Sequence, residues 1–170
     1  MRGLVKAILL IGLLAVGTGQ AQTIVLRWRF DGDLRDSSSN GNHARRERGT
    51  VSFTEGRVGR ALAKGEDAVI ACRSATGLPL ANKAAWTLCF WLKLTDALPG
   101  GTQIGGFRDR SNAWGTLRVI DNQGGFNFYG HMSNLCSGTL FPADGDWHHY
   151  ACTWDGRKIR LYYDGKLRKA

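Results

Sequence analysis

A chain of 170 residues with 23 Lys+Arg against 14 Asp+Glu carries a formal charge of +9. The length fits one domain with a sizeable core. The charge favours acidic partners such as sulfated or uronic polysaccharides or anionic lipid, although basic residues spread over many segments also serve solubility alone. No helix-length window shows a helical apolar period, which excludes helical bundles and doubly wound α/β folds.

Arg2 and Lys6 precede an apolar run from Ala7 to Val16, and Gly19 and Ala21 follow. This is the layout of a secretory leader cleaved after Ala21. The run is too short to span a bilayer comfortably. No Cys follows the cleavage point, which argues against a lipid anchor. The expectation is a signal peptide over 1–21, a single domain over 22–170, a secreted product, and no membrane span after cleavage. An exported protein also has little access to nucleic acid. The cysteines Cys72, Cys89, Cys136 and Cys152 all lie in the exported part. An even count in an oxidising compartment predicts two disulfides, with three connectivities open.

Ile24, Leu26, Trp28 and Phe30 alternate with Val25, Arg27 and Arg29, which predicts a first strand. Residues 31–42 are turn chemistry, rich in Asp, Ser, Asn and Gly. Asp31, Asp33 and Asp36 can serve there as turn formers or as oxygen ligands for calcium, without the spacing of an EF-hand. Residues 43–49 are basic and read as exposed. Short strands are predicted at Val51–Phe53, Val58–Ala63 and Ala68–Cys72. From Trp86 to Lys93 both alternating faces carry bulky residues, which predicts a central strand buried on both sides. Further strands are predicted at Thr102–Phe107, Trp114–Ile120, Gly125–His131 and Thr139–Phe141.

The stretch Trp147–Gly165 reads as two hairpin turns around an alternating strand. Asp155-Gly156 and Asp164-Gly165 supply the positive φ of tight two-residue turns. Tyr150, Cys152 and Trp154 fall on one side of the strand before them, and Ile159, Leu161 and Tyr163 on one side of the strand between them. His148 and His149 point to opposite faces and cannot share a metal ion. The whole pattern is an all-β, two-sheet antiparallel sandwich.

Several blocks resemble laminin-G-like jelly-roll domains of the concanavalin A-like lectin/glucanase superfamily. They are Trp28-Arg29-Phe30-Asp31-Gly32 with Asp36–His43, Gly56–Leu62, Trp86–Lys93, and the two turns Trp147–Gly156 and Leu161–Lys166. Their order covers almost all of residues 22–170. Thr87-Leu88-Cys89, Cys152-Thr153-Trp154 and Tyr162–Lys166 are further similar to pentraxins. That resemblance implies a Cys89–Cys152 bridge, which would stabilise the fold by roughly 4 kcal/mol in the chain-entropy model. Cys72 and Cys136 would then pair with each other. It also implies calcium ligands in a middle loop, where Asp109 and Asn112 offer oxygens. The later acidic segment of pentraxins has no counterpart. Family members continue with further strands, so the domain is expected to be incomplete at Ala170.

Glycosidases of this superfamily need paired acids on a cleft strand. Glu47, Glu55 and Glu66 lie in predicted turns or at strand ends, and the Asp pairs 31/33 and 144/146 in turns. The expectation is a non-catalytic module that binds a glycan or another extracellular ligand through rim loops, with Ca²⁺ as its candidate cofactor. Candidate ligand-binding residues are Arg108, Asp109, Asn112 and Trp114, the last either a sugar-stacking platform or core. The alternatives are part of an exported glycoside hydrolase and a structural adhesion or assembly domain.

Overall fold

The computed structural model describes residues 11–16, 23–65, 67–78, 85–98, 102–107, 117–122, 125–130, 133–136 and 142–170. The strands are β1 (Ile11–Val16), β2 (Thr23–Trp28), β3 (Arg45–Arg48), β4 (Val51–Glu55), β5 (Arg60–Lys64), β6 (Val69–Ala71) and β7 (Ala85–Lys93). They continue with β8 (Gln103–Phe107), β9 (Leu117–Asn122), β10 (Gly125–Gly130), β11 (Ser133–Cys136), β12 (Trp147–Trp154), β13 (Ile159–Tyr163) and β14 (Lys166–Lys169). Among the described residues there is no helix, and every strand pairing is antiparallel. A six-stranded sheet runs β14-β13-β12-β7-β1-β2 and a four-stranded sheet β11-β10-β9-β8, with β3-β6 and β4-β5 as separate ribbons. This is the all-β sandwich that the alternation implied, of the jelly-roll kind that the family resemblance implied.

The core lies on one face of the larger sheet. Trp86, Leu88, Phe90 and Leu92 of β7 are buried, as are Tyr150 and Cys152 of β12, and Ile159 and Leu161 of β13. Facing them are Leu62 of β5 and, partly buried, Val51, Phe53, Ile70 and Ile104. Register explains the packing. Phe90 pairs with Tyr150 across β7 and β12, and their rings stack at 5.3 Å. Cross-strand aromatic pairs of this kind are a unit of sheet stability.

Three expectations change. Strand β7 is buried on one side only: its even-numbered residues from Trp86 to Leu92 are buried and its odd ones half-buried. The turn at Asp155-Gly156 is a four-residue loop, because Trp154 pairs with Ile159. The Asp155 carboxylate fills that loop, accepting from the Arg157 and Lys158 N–H groups at 2.8 Å each. The other turn is the expected tight one, with φ of +46° at Asp164 and +74° at Gly165.

Third, the Cys89–Cys152 bridge is not formed. Cys89 pairs with Ala151 and Cys152 with Leu88, so the two side chains leave opposite faces of the sheet. A one-residue offset between neighbouring strands forbids the bridge even though the backbones touch. Cys152 is a buried thiol in the core, and burial pushes its pKa up. Cys72 is also a thiol, packed at the core's edge, which removes the expected Cys72–Cys136 pair. Residues 11–16 form a strand of the larger sheet, between β2 and β7.

Residues 31–42 are a clamp on β2. Asp36 is buried, and its carboxylate accepts four hydrogen bonds: from the N–H groups of Arg27, Ser38 and Asn42 at 2.8–2.9 Å and from Ser38 Oγ at 2.6 Å. Burial opposes its ionisation, yet those donors hold its pKa below the ordinary carboxylate value. Asn42, also buried, donates to Val25 O and Thr76 O and accepts from the Thr76 N–H. Trp28 Nε1 donates to Asn42 O at 2.7 Å.

Two outcomes are expected. Asp36→Ala strands several buried donors and should lower unfolding free energy by about 2–4 kcal/mol in a denaturant titration. In protein unfolded without reductant, Cys72 and Cys152 should both take up iodoacetamide; a Cys152 that resists until a reductant is added would restore the bridge.

Candidate functional site

Among the described residues, side chains with exposed chemistry converge at the end of the larger sheet where β12 begins and β13 ends. His148 opens β12 on the same face as Tyr150. Its Nδ1 lies 2.8 Å from Asp164 Oδ2 and its Nε2 3.0 Å from Asp144 Oδ2. Tyr163 Oη is 2.7 Å from His148 Nδ1, and the two rings stack at 5.0 Å. The Arg168 guanidinium covers the Tyr163 ring at 5.4 Å. The imidazole is mostly buried, whereas side-chain exposure is 44% for Asp144 and 40% for Asp164. The result is a rim that presents two carboxylates and a phenol, braced by one imidazole beneath.

Local sequence explains the positions. Asp164-Gly165 makes the tight turn, and Asp164 stays tied to the ladder: its N–H donates to His149 O and its Oδ1 accepts from the His149 N–H, both at 2.8 Å. Asp144 opens the turn before β12, accepting from the Asp146 N–H at 2.9 Å. Both carboxylates thereby aim at the residue where β12 starts.

The electrostatics are those of an ion triad. Burial works against the imidazolium, but hydrogen bonds and charge from Asp164 and Asp144 raise the His148 pKa above its ordinary value. The Asp146 N–H and His148 lower that of Asp144. At Asp164 burial opposes ionisation, and His148 and the His149 N–H outweigh it. Neither carboxyl is held protonated, so neither has the raised pKa of a glycosidase general acid. With both ring nitrogens on carboxylates, the imidazole is not placed as a free base. The arrangement suits recognition of hydroxyl-rich ligands, with acceptor carboxylate oxygens and a phenol together at one rim.

On the other face, His149 packs on Trp91 at 5.1 Å, and Arg57 lies over the Trp91 ring at 5.4 Å. Burial lowers the His149 pKa. The histidines diverge as strand geometry required.

The residues singled out from sequence fare unevenly. Arg108, Asp109, Asn112 and Trp114 lie outside the described residues. Asp31, Asp33 and Asp36 are not gathered round one point: Asp31 accepts from the Arg60 N–H, Asp33 from the Arg35 N–H, and Asp36 is the clamp. Among the described residues, no group of three or more His, Cys, Asp or Glu is arranged to hold a metal ion. Sequence reasoning read Asp144 and Asp164 as turn formers and missed the rim. The register of the last hairpin held the signal, because pairing Tyr150 with Tyr163 brings Asp164 against His149.

In architecture the described strands make an antiparallel jelly roll. The Laminin_G_3 family model, described as the concanavalin A-like lectin/glucanases superfamily, matches residues 64–170, and the chain belongs to that family. Among solved structures, it is similar to domain 4 of AbnA, a GH43 extracellular arabinanase from Geobacillus stearothermophilus, in complex with arabinotriose. The TM-score is 0.63 at 19% identity, covering 96% of this chain and 75% of that one. At that identity the likeness is one of fold. No curated protein matches this chain.

The triad makes stability pH-dependent with a definite sign. The raised His148 pKa contributes stability that is complete below about 6.5 and lost as pH rises through the raised value. The lowered Asp144 and Asp164 contribute stability present above 3.8 and lost as pH falls through their depressed values. His149, with its lowered pKa, acts oppositely to His148, so the difference between wild type and His148→Gln isolates the triad. That difference in melting temperature should be largest near pH 5–6 and shrink toward pH 9; a pH-independent difference would remove the ion triad.

Proposed function

We propose that the protein is an exported, non-catalytic module that binds carbohydrate at the Asp144–His148–Tyr163–Asp164 rim. The observation that carries this reading is the pair of half-exposed carboxylates fixed by His148 beside Tyr163, whose ring lies beneath Arg168. Carboxylates accept paired hydrogen bonds from vicinal sugar hydroxyls, and the phenol adds a further hydrogen-bonding group beside them. The leader-like N-terminus and the extracellular arabinanase neighbour support export. The same neighbour, a domain solved with arabinotriose, supports a neutral oligosaccharide as ligand class. It also favours one second reading, a module appended to an exported glycoside hydrolase.

Calcium assistance belongs to the same proposal through the oxygens of Asp109 and Asn112, and has its own arm in the test. The experiment is a glycan array followed by calorimetry on the best binder and on arabinotriose, with and without EDTA. Asp164→Asn and Tyr163→Ala should each weaken binding by roughly tenfold or more, the loss of one charge-assisted hydrogen bond or of the phenol that braces His148. Wild-type affinity in both variants would move the site elsewhere. EDTA-sensitive binding supports calcium assistance, and unchanged binding overturns it. Silence across the array, with the protein folded, would overturn the carbohydrate reading.

A further inference from the structure

Nδ1 of His148 has two oxygens within hydrogen-bond reach, Asp164 Oδ2 at 2.8 Å and Tyr163 Oη at 2.7 Å, and it can carry only one hydrogen. Nε2 has Asp144 Oδ2 at 3.0 Å. An ionised carboxylate only accepts, whereas a phenol accepts or donates. The protonation state of the ring therefore decides which way the Tyr163 hydroxyl faces. In the imidazolium both nitrogens donate, Nε2 to Asp144 and Nδ1 to Asp164. Nδ1 then has no lone pair, so the Tyr163 hydrogen cannot point at the ring and is left to a ligand. In the neutral ring one nitrogen has a bare lone pair. Placed on Nε2, that lone pair would face the acceptor oxygen of Asp144. Placed on Nδ1, it receives the Tyr163 hydrogen. The second arrangement keeps more hydrogen bonds, so the neutral ring holds its hydrogen on Nε2 and turns Tyr163 inward. Asp164 Oδ2 then meets a nitrogen without a hydrogen, and the carboxylate keeps only its Oδ1 anchor, the His149 N–H.

We propose that His148 is the positioning residue of the rim and that one proton gates ligand binding there: the imidazolium presents an outward Tyr163 donor beside two fixed carboxylates, and the neutral ring withdraws the donor and frees Asp164. The inference rests on the carbohydrate reading of this rim and adds its regulation. It also narrows the ligand. Besides hydroxyls for the carboxylates, the ligand must bring an acceptor oxygen for Tyr163, which a glycoside supplies in its ring and glycosidic oxygens. Among the described residues, the groups that face His148 come from each element around it. They are Asp144 in the turn before β12, tied to the Asp146 N–H, Tyr163 on β13, and Asp164 in the last turn. Arg168 of β14 covers the Tyr163 ring, and Lys166 pairs with Tyr163. Tyr150, buried and with its pKa raised by burial, lies against Tyr163 at 5.2 Å. β7 contributes the buried Leu92 opposite His148. Burial works against the imidazolium, but Asp164 and Asp144 outweigh it and keep the ring protonated to higher pH than a free histidine. Affinity is therefore full below the His148 titration and falls as pH rises through it, and by linkage the bound ligand moves that titration upward.

The test uses the full chain, isotope-labelled in its histidines, followed by nitrogen NMR over a pH series. Without ligand, His148 should pass from imidazolium to the tautomer with its hydrogen on Nε2. Tyr163→Phe, which removes the inward donor, should turn the neutral ring into a mixture of tautomers. A neutral wild-type His148 with its hydrogen on Nδ1 would overturn the switch. Calorimetry with arabinotriose should then give a wild-type affinity that falls roughly tenfold across the same titration, the loss of one charge-assisted hydrogen bond. Saturating arabinotriose should raise the His148 midpoint by about one pH unit, the reciprocal of that tenfold change. His148→Gln has no proton to lose, and its affinity should not vary over that pH range. If this variant does not fold, the coincidence of the wild-type affinity midpoint with the His148 midpoint decides alone. A flat wild-type affinity, or a fall centred at another pH, would overturn the gating and leave the rim a binding site. Absence of arabinotriose binding at every pH would count against the carbohydrate reading instead, and the tautomer spectra would still decide the switch.

Discussion

The pairing of β7 with β12 is the constraint on which everything else depends. Eight consecutive residues, Trp147 to Trp154, pair in register with Lys93 to Trp86. That register stacks Phe90 on Tyr150 and sets Leu88 beside Cys152 on the buried face. It equally sets Cys89 beside Ala151, and so separates the two sulfurs. Packing and redox state follow from one backbone offset. A slip of one residue would bring Cys152 opposite Cys89 and also turn Tyr150 and the β12 core outward. The apolar burial of a whole strand outweighs a single bridge of a few kcal/mol.

From that pair the sheet grows outward in both directions, and each edge is handled differently. On one side β13 and β14 follow through short hairpins, ending in an exposed edge strand whose charges discourage further pairing. On the other side stand β1 and β2, and there the polar clamp of Asp36 and Asn42 does for β2 what a neighbouring strand does elsewhere. A buried carboxylate is tolerable because it accepts four hydrogen bonds, three of them from backbone N–H groups that would otherwise lack partners. The rim at His148 uses the opposite arrangement. There the carboxylates stay half in water and the cation is the buried member, which leaves acceptor oxygens available to a ligand.

Much of this was legible in the chain itself. Period-two alternation located β2, β7, β12 and β13 to within a residue or two, because each buries one face and the pattern has no other physical source. The Asp164-Gly165 turn was legible from its residue types. The Asp155 loop was misjudged, because an Asp-Gly pair fits several turns and the choice depended on which residues paired across it. Strand β11 was not foreseen, and β3 was read only as an exposed basic stretch, since short polar strands have no apolar period. The rim escaped notice because its four residues read separately as turn formers, a packed histidine and a strand aromatic.

By itself the sequence determined the fold class, the strand that carries the core and the separation of His148 from His149, since these rest on local periodicity and residue type, and the order of its motif blocks pointed to the family. The tertiary structure alone decided which residues meet. It set Cys152 in the core away from Cys89, turned three loop aspartates into separate backbone anchors, and drew Asp144, Tyr163 and Asp164 around one imidazole. It also placed the apolar residues 11–16 between β2 and β7. Those outcomes hang on strand order and register, which long-range pairing fixes and which no local stretch of chain encodes.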